Sequence, residues 1–132
     1  MAERILVCDE IHPDGIELLR KKGFEVDVRL DLSGETLKHE LRKYSAVIIR
    51  GRTKLTRSVL EGVSGLKLIV RAGVGLDNVD LGAASEMGIE VMATPEATTQ
   101  SVAELTIGLI LSLLRKIPFN DVALKAGKWV KS

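Results

Sequence analysis

Short apolar runs alternate with helix-forming segments through the first 96 residues, and this alternation restricts the possible folds more than any other feature. The runs RILVC at 4–8, AVII at 46–49 and LIV at 68–70 are almost wholly apolar. Strands buried on both faces of a parallel sheet have this pattern. Strands and helices that alternate at such spacing form βαβ units with right-handed crossovers. The chain is therefore predicted to be an α/β protein.

Strands and helices can be assigned along the whole of this first segment. The predicted strands cover residues 4–8, 24–28, 46–49, 68–70 and 89–92. The predicted helices cover residues 13–22, 33–44, 58–63 and 81–87, with Pro13 in the first turn, Gly23 as a C-terminal cap and Thr56 as an N-cap. Together they predict a flavodoxin-like, doubly wound parallel sheet of about five strands. In such sheets ligands bind outside the carboxyl ends of the strands.

The segment after Thr94-Pro95 has a different pattern. A long helix is predicted over residues 100–116, capped by Thr98 or Thr99, and an amphipathic helix over 118–126. Apolar residues cover almost the whole circumference of the long helix, which predicts burial on every side. We therefore divide the chain into residues 1–96 and 97–132. The longest apolar run, 105–114, is shorter than the roughly 20 residues of a bilayer span, so no membrane partner is predicted.

Composition excludes several classes of function. The chain has 19 basic and 18 acidic residues, a net charge of +1, so no overall charge attracts nucleic acid or an anionic membrane. Aromatic residues make up 3%, too few for a nucleic-acid stacking surface. The single cysteine, Cys8, excludes a disulfide framework and a multi-thiolate metal site, and no metal site is predicted. A lone cysteine and the absence of a signal-peptide pattern lead us to expect a soluble, cytoplasmic protein.

The loop after the third strand, RGRTK at 50–54, is a candidate anion clamp. It places Arg50, Gly51, Arg52 and Thr53 at the carboxyl end of a buried strand. Guanidinium groups bind carboxylates and phosphates through paired N–H donors. A solvated surface loop of the same composition is the alternative interpretation.

The loop after the fourth strand, RAGVGLDNVD at 71–80, carries a second arginine. Arg71 ends the strand, and Gly73 and Gly75 leave backbone N–H groups open to an anion. The loop is not a dinucleotide fingerprint, because Asn78 stands where the third glycine of G-x-G-x-x-G belongs. A tight turn capped by Asp77 or Asn78 is the alternative.

The two arginine-bearing loops are more informative together than singly. If the third and fourth strands end side by side, Arg50, Arg52 and Arg71 can converge on one small acidic ligand. This convergence is the central prediction for the site.

The remaining candidate groups have no partner in any recognisable motif. His12 precedes a helix-opening proline and His39 lies in a charged helix, so both are predicted to be exposed or capping residues. Cys8 ends a buried strand and is predicted to fill space rather than act as a nucleophile. Asp9 and Glu10 lie where a phosphoacceptor receiver domain has acidic residues. That domain also needs an aspartate after the third strand, where this chain has arginine, so signalling is disfavoured.

Several segments closely resemble the D-2-hydroxyacid dehydrogenase family, namely RAGVGLDNVD, GIEVMATPEATTQSVAELTIGLILSLLRKIP and KAGKW. Two earlier segments resemble its amino-terminal region, namely ILVCDEIHPDGIELLRKKGFEV and AVIIRGRTKLT, so the resemblance covers nearly all 132 residues. It implies a two-lobed, NAD-dependent oxidoreductase. Residues 1–96 would be its substrate-binding lobe, and 97–132 the hinge and crossover helices that lead to a nucleotide-binding domain.

The resemblance also implies roles for particular residues. Two loops would bind the acid substrate through Arg50, Gly51, Arg52, Thr53, Arg71 and Gly73. Arg52 departs from the small residue that is common there in the family. Val74 and Gly75 would lie near the nicotinamide, and the helix over 100–116 would be buried between lobes and in a homo-oligomer interface.

The expected function follows from this resemblance. The resemblance implies that 3-phosphoglycerate is oxidised to 3-phosphohydroxypyruvate, in serine biosynthesis. The arginine-rich loops by themselves favour only a dianionic acid. The family's glycine-rich turn and its catalytic arginine, acid and histidine lie beyond the segment that matches KAGKW. We therefore assign no catalytic residue, and expect these 132 residues to be inactive alone and not to bind NAD tightly. A non-catalytic flavodoxin-like module for anion binding or oligomerisation is the alternative.

Overall fold

Parallel strands connected by helices make up the first part of the structure, a computed structural model that describes residues 3–130. The chain divides into two units, Met1–Glu96 and Ala97–Ser132, and each is described by itself. The strands of the first unit are β1 (Arg4–Val7), β2 (Glu25–Val28), β3 (Ala46–Ile49), β4 (Leu68–Arg71) and β5 (Glu90–Ala93). Its helices are α1 (Pro13–Lys21), α2 (Gly34–Leu41), α3 (Arg57–Leu60) and α4 (Leu81–Glu86).

The strand order is β2-β1-β3-β4-β5, and every pairing is parallel. The direction of winding reverses between β1 and β3, because the chain passes from β1 outward to β2 and then returns to the other side of β1. The prediction of a doubly wound α/β sheet is confirmed. Such a reversal leaves a crevice at the carboxyl ends of the strands.

The apolar runs of the strands are explained by helices on both faces of the sheet. On one face Leu6, Val47 and Ile69 pack with residues of α2, α3 and α4. On the other, Ile5 and Val7 form a smaller cluster under α1. Because successive side chains of a strand point to opposite faces, both must be apolar.

The largest differences in element boundaries are three residues each, at the end of α3, predicted at residue 63 and observed at Leu60, and at the end of α2, predicted to extend to residue 44. The helix ends at Leu41, since the N–H of Tyr44 bonds to the Leu41 carbonyl in a tight closing turn. The Tyr44 ring is buried and its hydroxyl donates to Asp27 at 2.9 Å. This tertiary contact requires the chain to leave the helix early.

The second unit contains α5 (Thr99–Leu114) and α6 (Ile117–Lys125). Thr98 is the N-cap of α5 without a side-chain hydrogen bond, and Lys116 separates the two helices with a positive φ of 49°. Pro118 lies in the first turn of α6, where its missing N–H costs no hydrogen bond.

The described residues of this chain alone do not bury the long helix on every side, and its burial against another lobe or a second copy stays a prediction. No residue of α5 is buried, and each of its large apolar side chains is more than half exposed, from Ile110 at 51% to Leu113 at 76%. Within its own unit α5 has only the nine-residue α6 as a helical neighbour, which is too short to cover its circumference.

One helical stretch among the described residues is long and apolar enough to cross a membrane. It is Pro95–Leu114, 20 residues with a mean hydropathy of 1.4. It exceeds the ten-residue run considered from sequence because polar residues of the first turns are included. Core helices of water-soluble proteins meet the same criterion, so length and composition are only weak evidence of a membrane segment.

Candidate functional site

Three strand ends meet at one edge of the sheet in the first unit. β3 lies between β1 and β4, and Ile49 pairs with Arg71. The residues that follow β1, Cys8 and Asp9, lie beside those that follow β3, and the N–H of Cys8 donates to the Ile48 carbonyl at 3.0 Å. The adjacency of β3 and β4, on which the predicted convergence depends, is confirmed.

The carboxylate of Asp9 holds the loop after β3, and Asp9 is only 3% exposed. Its Oδ2 accepts the backbone N–H of Arg50 at 2.6 Å and that of Thr53 at 3.2 Å. Its Oδ1 accepts the Thr53 hydroxyl at 2.7 Å and Nε of Arg52 at 3.1 Å. A buried carboxylate is tolerated when its oxygens are hydrogen-bonded in this way.

These donors also determine the charge state of Asp9. Burial alone would raise the pKa of the carboxyl, but the Arg50 N–H, the Thr53 hydroxyl and N–H and the charge of Arg52 together lower the pKa below its ordinary value. Asp9 is therefore a carboxylate at neutral pH.

Asn78 holds the same loop from the opposite side. It is 9% exposed, and its Nδ2 donates to the carbonyls of Arg50 and Thr53, both at 2.7 Å. The backbones of the two loops are joined as well, since the Leu55 N–H donates to the Asn78 carbonyl at 2.8 Å. The loops after β3 and β4 thus form one connected structure.

Two of the predicted substrate ligands bond to the protein itself, although the Arg52 side chain is also 57% exposed. Thr53 is 4% exposed and its hydroxyl donates to Asp9. The Arg52 guanidinium forms an ion pair with Asp9 and donates from Nη2 to the Cys8 carbonyl. Direct binding of substrate by Arg52 and Thr53 stays a prediction, and in this structure both hold the loop in place.

Arg71 is the predicted ligand with the most unusual surroundings. Its Nε is buried and has no hydrogen-bond partner in residues 3–130. The guanidinium lies over Gly73, where a Cβ would stand 2.6 Å from Cζ, and beside Gly51, where a Cβ would stand 3.9 Å from Nη2. Gly73 has a φ of +152°, which favours glycine. Gly51, Arg71 and Gly73 are therefore brought together.

The other predicted site residues lie at the surface. Arg50 is exposed, and its Nη1 donates to the Glu10 carbonyl at 3.2 Å. Val74 is 53% exposed, and Gly75 is exposed beside it. Neither Arg50 nor Arg71 forms an ion pair with a carboxylate within residues 3–130. Two uncompensated guanidinium groups at neighbouring strand ends suit a small anion.

The remaining candidates are buried, capping or exposed residues outside the two loops. Burial raises the pKa of the Cys8 thiol to about 12, so it is not a nucleophile at neutral pH. His12 is the N-cap of α1, accepting the Asp14 N–H at 3.3 Å, and the His39 side chain is exposed. Residues 3–130 contain no group of three or more potential metal ligands.

Sequence reasoning missed the roles of Asp9 and Asn78. The sequence suggested Asp9 only as part of a receiver-type acidic pocket, and Asn78 only as a helix cap or a missing glycine. In the structure the cap of α4 is Asp80, whose carboxylate accepts the Ala83 N–H at 2.8 Å. Their positions in the sequence could have identified these roles, because both polar residues follow the strands that flank β3.

Comparison with known proteins identifies the family of this fold. The profile of the D-isomer specific 2-hydroxyacid dehydrogenase catalytic domain matches residues 5–127. D-3-phosphoglycerate dehydrogenases are 43% identical in Archaeoglobus fulgidus and 45% identical in Methanocaldococcus jannaschii, each over 96% of this chain and 24% of the relative. The enzyme named D-3-phosphoglycerate dehydrogenase 2, chloroplastic, of Arabidopsis thaliana is 46% identical over 98% of this chain and 21% of its own length.

Solved structures show the same similarity. TT0316 protein from Thermus thermophilus superposes with a TM-score of 0.84 at 31% identity, covering 98% of this chain and 42% of that one. An NAD⁺-bound 3-phosphoglycerate dehydrogenase of Entamoeba histolytica superposes with a TM-score of 0.73 at 29% identity, covering 85% and 39%. The chain thus spans about a quarter of the length of the curated relatives given above. By the extent of these matches, the chain belongs to the D-isomer specific 2-hydroxyacid dehydrogenase family.

Proposed function

We propose that this chain is the substrate-binding part of an NAD-dependent D-3-phosphoglycerate dehydrogenase. The observation that carries the proposal is the pair Arg50 and Arg71, which lie at the carboxyl ends of neighbouring strands and form no ion pair with a carboxylate within residues 3–130. 3-Phosphoglycerate has a carboxylate and a phosphate, and each anion can accept hydrogen bonds from one guanidinium. The names of the relatives support the same substrate.

The chain's own residues would bind and orient the acid. Arg50 and Arg71 supply charge, Gly51 and Gly73 leave room beside the Arg71 guanidinium, and Asp9 keeps the loop in place. NAD, when bound, would accept the hydride. The exposed Val74 side chain and the adjacent Gly75 offer an apolar surface suited to the nicotinamide end, and no residue of the chain is assigned to its pyrophosphate. We also propose a cytoplasmic location, because the single cysteine is a buried free thiol.

Titration of the chain with 3-phosphoglycerate, followed by NMR or calorimetry, tests this function. We expect Arg50→Ala and Arg71→Ala each to weaken binding about tenfold or more, because hydrogen bonds to charged groups contribute about 1.5–3 kcal/mol. Arg57→Ala is the control. This arginine belongs to α3 and forms an ion pair with Glu86, with 2.7 Å between Nη1 and Oε2, so the variant should bind the acid normally. Equal affinity of all three variants and the unmodified chain would contradict the proposed site.

The exposed apolar side chains of α5 favour a second part of the proposal, that copies of the chain associate through this helix. We expect sedimentation velocity to give a dimer or larger species. Leu105→Glu with Leu109→Glu, which lie one turn apart on α5, should give monomers, whereas Gln100→Glu should not. A monomeric unmodified chain would refute the association. An oligomer that binds no acid would favour the alternative of a non-catalytic oligomerisation module.

A further inference from the structure

The backbone of the β3 loop is held at four points by two side chains from other loops. The N–H groups of Arg50 and Thr53 donate to Asp9, and the carbonyls of the same two residues accept from Asn78. Gly51 and Arg52 form the exposed tip between these points. Both backbone polar groups of Arg50 are therefore held by hydrogen bonds.

Asp9 makes two of these four backbone hydrogen bonds and accepts two more from side chains of the loop, and it does so without reaching the surface. It is 3% exposed and accepts four hydrogen bonds, all of them from residues 50–53. Two of these come from Thr53 and one from Arg52, both of which the sequence assigned to substrate binding. Neither Arg50 nor Arg71 pairs its guanidinium with this carboxylate.

We propose that Asp9 is a positioning residue for acid binding, acting on the substrate only through the loop that carries Arg50. This inference rests on the proposed function. It makes the contacts between the arginines and the substrate depend on Asp9 and Thr53. A loop already held in its binding conformation loses less conformational entropy when the anion binds.

The sign of the effect distinguishes positioning from simple electrostatics. Asp9 is a negative charge close to a site for an anion, so neutralising it raises the local positive potential. If Asp9 acted only as a nearby charge, Asp9→Asn would therefore bind 3-phosphoglycerate more tightly. If Asp9 positions the loop, the same change weakens binding, because an amide cannot accept all four donors.

The experiment compares Asp9→Asn with Asp27→Asn by NMR titration with 3-phosphoglycerate at neutral pH. Asp27 is the matched control, because its carboxylate also accepts two side-chain hydrogen bonds, from Tyr44 at 2.9 Å and Arg4 at 2.8 Å, and shares no partner with Asp9. We expect at least fivefold weaker binding by Asp9→Asn and unchanged binding by Asp27→Asn. Hydrogen exchange of the Arg50 and Thr53 amides should accelerate only in Asp9→Asn.

A second pair of variants keeps the test decisive if Asp9→Asn does not fold. Thr53→Val removes the hydroxyl donor to Asp9 at nearly constant shape, and Thr53→Ser retains it. We expect Thr53→Val to weaken binding and Thr53→Ser to restore it. Equal affinity of the valine and serine variants would overturn the positioning role, as would unchanged or tighter binding by Asp9→Asn.

Failure of the inference can be separated from failure of the proposed function. If the unmodified chain binds the acid and Arg71→Ala does not, while Asp9→Asn binds normally, only the positioning role is wrong. If neither 3-phosphoglycerate nor inorganic phosphate gives a saturable shift with the unmodified chain, the proposed function is wrong and the positioning role is overturned with it.

Discussion

Asn78→Asp is expected to lower the free energy of unfolding by about 3–5 kcal/mol at pH 7. The Asn78 amide donates to the carbonyls of Arg50 and Thr53, at a position that is 9% exposed. A carboxylate there has no proton to donate, so two carbonyl oxygens lose their donor and face a negative charge that is also removed from water. Each of these effects opposes folding. Urea denaturation followed by circular dichroism measures the loss.

The pH dependence of this loss gives a second check. Burial and the two facing carbonyls raise the pKa of the introduced carboxyl in the folded state. A group with a raised folded pKa favours folding only where it is protonated, so the difference from the unmodified chain should shrink as the pH is lowered. Asp77→Asn is the control, because residue 77 is exposed and such changes are usually within about 0.5 kcal/mol. A loss that is the same for both variants would show that the Asn78 hydrogen bonds do not stabilise the loops.

The sheet was predictable from the sequence because its requirements are local. Continuous apolar runs such as AVII at 46–49 occur where both faces of a strand are covered, and the observed β3 has those bounds. The course of the chain after α2 was not predictable in this way. It depends on the contact of Tyr44 with Asp27, which lies 17 residues earlier in the sequence.

The site was predictable in outline and not in its internal contacts. Arginines at the carboxyl ends of two strands are neighbours when the two strands are adjacent in the sheet, and the topology determines which strands are adjacent. The direction of the Arg52 and Thr53 side chains depends instead on Asp9, which is 43 and 44 residues away in sequence. The exposure of α5 was not predictable either. Apolar residues around a helix predict that its surface is covered by protein, but they do not say which chain covers it.

Gly73→Ala should weaken acid binding about as much as Arg71→Ala, roughly tenfold or more. A Cβ at residue 73 would overlap the Arg71 guanidinium, at 2.6 Å from Cζ and closer to Nη1. The backbone cannot move away freely, because the Gly73 N–H donates to the Arg71 carbonyl and the Thr94 N–H donates to the Gly73 carbonyl, both at 2.9 Å. The guanidinium must therefore leave its place, and with it the anion contact.

Backbone strain alone could also follow from this substitution, since the φ of Gly73 is +152°. Gly88→Ala separates the two effects, because Gly88 has a φ of +70° and nothing within 4 Å of its Cβ position. Both alanine variants should lose about 1–2 kcal/mol of stability, but only Gly73→Ala should lose affinity in the NMR titration. The double variant Gly73→Ala with Arg71→Ala should bind no more weakly than Arg71→Ala, because both changes remove the same guanidinium from the site. Additive losses would instead mean that residue 73 contacts the acid independently of Arg71.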